Sequence, residues 1–239
     1  MIVSEVMLRK SGLLIICQLL FFLSLSAQDI LFVGNSLSYS NDMPQMLEKL
    51  AKDNGFELKA SCICKPNYGL EDHLNEDLVE TELKRHDYQF LIFQQGPSSQ
   101  AYGRQTLFDM GQKLVTMALE NKAAPAYLMV WPSKAYYQTF DGVVKNHTEA
   151  AQANHALLIP VGLIWQRLNM EHPEYKLYGP DGFHPSDLGS FLEALIILKS
   201  THPALEITSI NTSGVEYLFN KDEALKEFLQ VVDDYLNEL

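Results

Sequence analysis

Two short polar segments, far apart in the sequence, carry the residue types of a serine hydrolase. Segment 34–37 reads Gly-Asn-Ser-Leu and follows a short apolar run, and segment 181–184 reads Asp-Gly-Phe-His. A serine, a histidine and an aspartate can form a catalytic triad once the fold brings them together. The two segments therefore predict Ser36 as a nucleophile, His184 as its general base and Asp181 as the partner of that base.

Each segment alone has an ordinary explanation. A serine after a strand is more often a turn or cap residue than a nucleophile, and Asp and Gly are common in turns. A serine nucleophile, however, needs a base, and the base needs an orienting group. The Asp-x-x-His segment supplies both from one loop, because a carboxylate on Nδ1–H leaves Nε2 of the histidine for the serine. The combination is more specific than either segment.

Hydrophobic periodicity predicts strands and helices that alternate along the chain. The strands are expected at 30–33, 56–63, 88–93, 126–131 and 157–161. The helices are expected from a cap at Asn41 or Asp42 to Gly55, and at 70–83, 106–119, 143–156, 164–170, 188–199 and 223–236. Short apolar strands separated by helices are typical of a parallel sheet that is covered on both faces.

The order of elements also predicts where a site lies. Ligands of such sheets bind beyond the carboxyl ends of the strands, at the point where the winding direction switches. Ser36 lies just past the first predicted strand, and the longest irregular loops, 96–105 and 132–142, also leave strand ends. We therefore expect the site at this edge of the sheet.

The first 27 residues have the pattern of a secretory signal peptide. Arg9 and Lys10 precede an apolar stretch at 13–25, and small residues follow up to Ala27. This order predicts cleavage after Ala27 and a secreted or periplasmic catalytic domain at 28–239, with no stable membrane span once the leader is removed. An uncleaved N-terminal anchor is the alternative.

The charge balance bears on the class of partner. The chain of 239 residues has a formal net charge of −12 at pH 7. Nucleic-acid backbones require clustered Lys and Arg, so the composition argues against a nucleic-acid partner. A neutral or cationic substrate suits this acidic protein better than a polyanion.

Two cysteines follow the predicted leader, and they lie in the second predicted strand. Cys62 and Cys64 would point to the same face of that strand. A disulfide at this spacing is geometrically strained. The pattern therefore favours two small apolar strand residues over a disulfide.

On its two chemical segments the chain resembles the SGNH (GDSL-type) hydrolases, in particular the bacterial secreted branch whose first block is Gly-Asn-Ser. Segment 34–37 matches the first block of the family, and segment 181–184, followed by Pro185, matches the last. The resemblance covers nearly the whole chain after the leader. It implies a flavodoxin-like three-layer α/β/α fold with a five-stranded parallel sheet, the Ser-His-Asp triad, and no metal or other cofactor.

The resemblance also implies an oxyanion hole made by three donors: the nucleophile's own N–H, a Gly of the second block and an Asn of the third. Ser36 and Gly69 match the first two. The third block departs from the family, because Gly-x-Asn-Asp is replaced by Gln-Gly-Pro-Ser-Ser at 95–99. A side-chain amide or a serine hydroxyl can donate instead. We expect Gln95 to do so, since it lies nearest the strand end.

The substrate is less clearly indicated. Trp131 and Tyr136, after the fourth predicted strand, are expected to line a substrate groove, with core packing of Trp131 as the alternative. Secretion and the family resemblance favour short-acyl esters, such as O-acetyl groups on a carbohydrate, as small-molecule or carbohydrate substrates. A non-catalytic carbohydrate- or ester-binding protein on the same fold and a lipase-like hydrolase of longer acyl chains are the alternatives. The sequence leaves the oligomeric state open.

Overall fold

Five parallel strands form the central sheet, in the order β2-β1-β3-β4-β5. They are β1 (Gln28–Gly34), β2 (Leu58–Cys64), β3 (Phe90–Phe93), β4 (Ala124–Leu128) and β5 (Leu157–Ile159). The computed structural model describes residues 28–239, so the predicted leader lies outside the described residues. The chain winds from β1 outward to β2, then returns to β3 on the other side of β1. The winding direction therefore switches between β1 and β3.

Helices cover both faces of this sheet. They are α1 (Ser36–Tyr39), α2 (Met43–Asp53), α3 (Leu70–Leu74), α4 (Leu78–Arg85), α5 (Ala101–Glu120), α6 (Phe140–Ala153), α7 (Val161–Glu171), α8 (Asp187–Thr201) and α9 (Asp222–Asn237). One apolar core joins the sheet to α2, α7, α8 and α9, and the other joins it to α3, α4, α5 and α6. The predicted three-layer fold with a five-stranded parallel sheet is confirmed.

Alternation along β1 explains why two cores form. Ile30 and Phe32 are buried in the core beneath α8, whereas Leu31 and Val33 are buried in the core beneath α5. Successive side chains of a strand point to opposite faces, so a continuous apolar run buries both faces of the sheet. This burial fixes the register of β1 and so the place where the chain leaves it.

Several predicted boundaries are wrong. The helix expected at 70–83 is two helices, α3 and α4, because the polar residues of 75–77 favour helix ends over helix interiors. The irregular loop expected at 96–105 ends early, since α5 begins at Ala101. The loop at 132–142 contains a 3₁₀ turn at Lys134–Thr139 and the start of α6. Strand β4 ends at Leu128, three residues before the predicted end.

Two further local expectations are corrected. Helix α2 begins at Met43, and the side chain of Asp42, at its N-cap, makes no capping hydrogen bond. Cys62 and Cys64 form a disulfide, with Cα atoms 5.3 Å apart, instead of two unpaired strand residues. Both cysteines lie on the edge strand, where side chains two residues apart share one face. Of the helices formed by residues 28–239, none has a long enough apolar stretch to cross a bilayer.

Candidate active site

The nucleophile candidate, Ser36, is the first residue of α1, directly after the tight turn by which the chain leaves β1. Asn35 is extended, and its Oδ1 accepts a hydrogen bond from the N–H of Leu37 at 3.1 Å, which starts the helix. Gly34 precedes it, and a Cβ atom at this position would lie 2.7 Å from Ser38 Oγ. A side chain at position 34 would therefore force the side chains of Ser38 and Gln94 to shift.

Gln94 ties this turn to the neighbouring strand. Its side chain is buried, and its Oε1 accepts from the Asn35 N–H at 3.0 Å and from Ser38 Oγ at 3.2 Å. The sequence interpretation missed this residue. Strand alternation carries the signal, because Gln94 must point to the opposite face from Phe93 and so lie beneath the turn that follows β1.

His73 supports the same turn from the other core. It is buried in α3, and its Nε2 donates to the Gly34 carbonyl at 2.8 Å. Burial lowers the pKa of His73, so the ring is neutral and carries its proton on Nε2. The end of β1 is thus held by hydrogen bonds from both faces of the sheet.

The structure brings the three predicted triad residues into one hydrogen-bonded chain. Ser36 Oγ lies 2.9 Å from His184 Nε2, and His184 Nδ1 lies 2.5 Å from Asp181 Oδ2. The carboxylate can only accept from Nδ1, so the network assigns the histidine proton to Nδ1 and leaves Nε2 to accept from the serine hydroxyl. This is the geometry that proton transfer from a serine requires.

A local turn holds the Asp181 carboxylate in place. Its Oδ1 accepts from the backbone N–H groups of Phe183 at 2.9 Å and His184 at 3.0 Å. Gly182, between Asp181 and Phe183, has a φ of 69°, in the left-handed region that glycine adopts without strain. The hydrogen bond from His184, together with that from the Phe183 N–H, lowers the pKa of Asp181 to about 2. Asp181 is therefore a carboxylate throughout the ordinary pH range.

Asn41 joins the serine segment to the histidine loop, and we call this set of contacts the Asn41 clip. Its Nδ2 lies 3.0 Å from both the Pro185 carbonyl and Ser190 Oγ. Ser190 Oγ in turn donates to the Ser40 carbonyl at 3.2 Å, and Ser40 Oγ donates to the Ser36 carbonyl at 2.7 Å. Asn41 itself has a φ of 54°. The sequence interpretation treated it as a helix cap and missed these long-range contacts.

The three predicted oxyanion donors differ in availability. Gln95 Oε1 accepts from the Leu70 N–H at 2.8 Å, which orients the amide and leaves its NH₂ end without an acceptor among residues 28–239. The Ser36 N–H is likewise without an acceptor in the described part of the chain. The Gly69 N–H, in contrast, already donates to Asp72 Oδ2 at 2.8 Å, so it is not free as the sequence led us to expect.

A cavity of about 700 Å³ opens beside the histidine loop. Three loops line it: 97–100 after β3, 132–139 after β4, and 181–183 before the histidine. Tyr136 is one of the lining residues, and 65% of its surface is exposed. The Lys134 N–H donates to the Gly182 carbonyl at 2.8 Å, which ties the second loop to the third.

Trp131 does not line this cavity, and the expectation that it does is wrong. Its side chain is 0% exposed and stacks on Trp165 with ring centroids 3.7 Å apart. Its Nε1 donates to the Phe183 carbonyl at 3.0 Å. A large aromatic next to a strand end gains more by burial here than by exposure. Trp131 supports the histidine loop from the core.

The comparisons with known proteins agree with this fold. No protein-family model matches the sequence, and no curated protein sequence is significantly similar to it. A protein from Slackia heliotrinireducens, described as an SGNH hydrolase, superposes with a TM-score of 0.64 at 24% identity, covering 74% of this chain and 100% of the other.

Two further solved structures have the same fold. The psychrotrophic esterase EstA from a Pseudoalteromonas species is 13% identical, with a TM-score of 0.57, and covers 74% of this chain and 97% of its own. An acetyl-xylooligosaccharide esterase from Geobacillus stearmophilus is 12% identical, with a TM-score of 0.54, and covers 73% of this chain and 94% of its own. The chain therefore has the fold of the SGNH hydrolases.

Proposed function

We propose that this chain, which has the SGNH-hydrolase fold, is a secreted or periplasmic serine esterase that hydrolyses short-acyl esters. The observation that carries the proposal is the hydrogen-bonded chain from Ser36 Oγ through His184 to Asp181, at the carboxyl end of β1. Its position beside the switch between β1 and β3 is where parallel sheets of this kind bind ligands.

In the proposed mechanism Ser36 Oγ attacks the ester carbonyl while His184 Nε2 takes the serine proton. Asp181 holds the ring orientation and stabilises the imidazolium that forms. His184 then donates the proton to the leaving alkoxide, which departs as the alcohol. Water attacks the acyl-enzyme with the same proton transfers in reverse, which releases the acid and restores Ser36.

The negative oxygen of the tetrahedral intermediate needs donors that are placed before the reaction. We assign this role to the Ser36 N–H and to Gln95 Nε2, the two predicted donors that are free in the described part of the chain. Gly69 contributes only when Asp72 releases its N–H. Two donors are free and the third already donates to Asp72, so we expect a modest rate of ester hydrolysis.

The proposed substrate is an ester of a short acyl group, with O-acetyl groups on carbohydrates as the leading class. Its support is the signal-peptide pattern at 1–27 and the presence of an acetyl-xylooligosaccharide esterase among proteins of the same fold. The fold by itself does not fix a substrate. The acyl group is therefore the first quantity to measure.

The deciding experiment is p-nitrophenyl acetate hydrolysis by the protein and by its Ser36→Ala variant. We expect turnover that falls at least about a thousandfold in the variant, because the nucleophile is lost. A fluorophosphonate should label Ser36 of the protein and leave the variant unlabelled. Absence of both turnover and labelling would favour a carbohydrate- or ester-binding protein on the same fold.

A series of p-nitrophenyl esters tests the acyl group. We expect kcat/KM to fall steeply for acyl groups longer than butyrate. A maximum at eight carbons or more would instead support the lipase-like alternative.

A further inference from the structure

The cavity beside the histidine loop has no role in the proposed mechanism so far. None of its lining residues is Ser36, His184 or a predicted oxyanion donor. Its wall includes Asp181, Gly182 and Phe183, the three residues that directly precede His184. The predicted donor Gln95 instead contacts α3, through the Leu70 N–H. The cavity wall therefore adjoins the histidine loop, whereas the donor Gln95 adjoins α3.

The direction of the two ester halves follows from the mechanism, so this inference rests on the proposed function. In the tetrahedral intermediate the former carbonyl oxygen faces the oxyanion donors. The leaving oxygen must face His184 Nε2, because it receives its proton from that atom. The alcohol half of the ester consequently extends toward the histidine loop, and the cavity begins there.

The chemistry of the wall indicates which alcohol fits. The rings of Tyr136 and Phe183 and the prolines at 97 and 132 offer flat apolar faces, and Ser99 and Gln100 add hydrogen-bonding groups to the same wall. Apolar walls with a few placed polar groups are usual for small-molecule sites, which measure roughly 300 to 1,000 Å³. A cavity of about 700 Å³ is far larger than a methyl or ethyl group needs.

We infer that this cavity is the alcohol-side binding site and that it takes a ring-bearing, hydroxyl-rich alcohol of the size of a mono- or disaccharide. Tyr136 is its principal specificity residue, since its ring is exposed on the wall and stacks on the flat face of a sugar. Phe183 is the wall residue next to His184, with the two ring centroids 5.2 Å apart.

The rates of acylation and deacylation distinguish an alcohol-binding site from an acyl-binding site. Acylation breaks the ester bond, and the alcohol leaves with the proton from His184. Deacylation involves only the acyl-enzyme and water, so every acetate ester shares one deacylation rate constant. A residue that binds the alcohol changes acylation alone, whereas a residue that binds the acyl group changes both steps.

The test compares Tyr136→Ala with the parent protein on a mono-O-acetylated xylobiose and on ethyl acetate. We expect kcat/KM for the sugar ester to fall about tenfold, as loss of one stacked aromatic predicts, with ethyl acetate unchanged. The rate constant for deacylation, from the steady state that follows a p-nitrophenyl acetate burst, should also be unchanged. Tyr217→Ala is the matched control, because Tyr217 is 68% exposed and lies outside the cavity wall.

Two results would overturn the inference: an equal fall on both acetates, or a changed deacylation rate constant in Tyr136→Ala. Calorimetric titration of Ser36→Ala with free xylobiose tests the site without turnover. Millimolar binding that Tyr136→Ala abolishes supports the cavity assignment, whether or not the protein hydrolyses esters. Absence of ester hydrolysis would refute only the esterase proposal. No heat of binding at ten millimolar xylobiose would count against the cavity and leave the triad chemistry standing.

Discussion

The serine side and the histidine side of the site are built in different ways. Around Ser36, buried Gln94 accepts a hydrogen bond from the Asn35 N–H on one face of the sheet. Buried His73 donates one to the Gly34 carbonyl from the other face. Around His184, the side chains of His184 and Asp181 are 39% and 51% exposed, and a short local turn orients them. The serine is positioned by the sheet and the base by a loop.

This difference explains what the contacts between the two sides do. A loop that carries half-exposed side chains has few packing restraints of its own, so its distance from the sheet must be set by specific contacts. The Asn41 clip supplies hydrogen bonds from the serine segment, and Trp131 supplies one from the core to the Phe183 carbonyl. Substitutions on the histidine side should therefore alter the orientation of His184, whereas substitutions on the serine side should alter the turn that carries Ser36.

The largest effect is expected at Asp181. Asp181→Asn places an amide where the carboxylate holds Nδ1–H, so the ring loses its orientation and its charge partner. In serine proteases this change costs about 10⁴-fold in kcat. We expect a loss of about that size in kcat for p-nitrophenyl acetate, with an unchanged melting temperature. Asp187→Asn, at an exposed position six residues further on, is the control and should change kcat less than twofold. A loss below tenfold in Asp181→Asn would remove the aspartate from the mechanism.

The second effect tests the serine side. Gln95→Ala removes the amide that we assign to the oxyanion, and one such donor is worth roughly a hundredfold or more in rate. We expect kcat to fall by about that factor while KM stays the same, since the donor acts on the transition state. Gln89→Ala is the matched control, because Gln89 is exposed just before the other end of β3. If KM rises and kcat is retained, Gln95 binds substrate and another group holds the oxyanion.

The arrangement of Ser36, His184 and Asp181 was predictable because each of its parts is local. A serine after a strand and an Asp-x-x-His turn are visible in the sequence, and the parallel sheet brings strand ends together. The five strands were equally visible, because their apolar runs are short and separated by helices.

The parts that escaped prediction depend on contacts between distant segments. Gln94 reaches Asn35, 59 residues away, and Asn41 reaches Ser190, 149 residues away. Nothing in the local sequence distinguishes Asn41 from a helix cap. The same holds for Trp131, whose burial follows from its stacking on Trp165 and not from its place after a strand.

The third prediction tests how much the Asn41 clip contributes to kcat. Asn41→Gly keeps the left-handed backbone but removes the amide that donates to the Pro185 carbonyl and to Ser190 Oγ of α8. We expect kcat to fall about tenfold, because a small misplacement of the base is costly. Partial return of kcat in Asn41→Gln would mark a positioning role, since that side chain restores the amide at a shifted distance. Asp42→Gly, also at a φ of 54°, is the control for backbone flexibility. Equal losses in the two glycine variants would refute the clip.

We expect the smallest effect on activity from the buried titratable groups of the two sides. The quantity that they change is stability, through its dependence on pH. His73 on the serine side bonds the Gly34 carbonyl, whereas Glu193 on α8, in the core behind the histidine loop, has both carboxyl oxygens buried without a partner among the described residues. Burial raises the pKa of Glu193 well above its usual value, so the folded protein keeps this group protonated. The histidine side therefore carries a group whose neutrality must be maintained as pH rises.

The sign of the pH dependence follows from linkage. Below the unfolded pKa of about 4.3, both states bind the proton and Glu193 contributes no pH dependence. Above it the unfolded chain releases the proton while the folded protein keeps it, so this group lowers stability by about 1.4 kcal/mol per pH unit up to its folded pKa. Glu193→Gln removes the titration. We expect equal melting temperatures of variant and parent near pH 4 and a higher melting temperature of the variant at pH 8, with exposed Glu227→Gln unchanged throughout. A difference that stays constant from pH 4 to pH 8 would mean that Glu193 is ionised in the folded protein, which would refute its assignment as a neutral group.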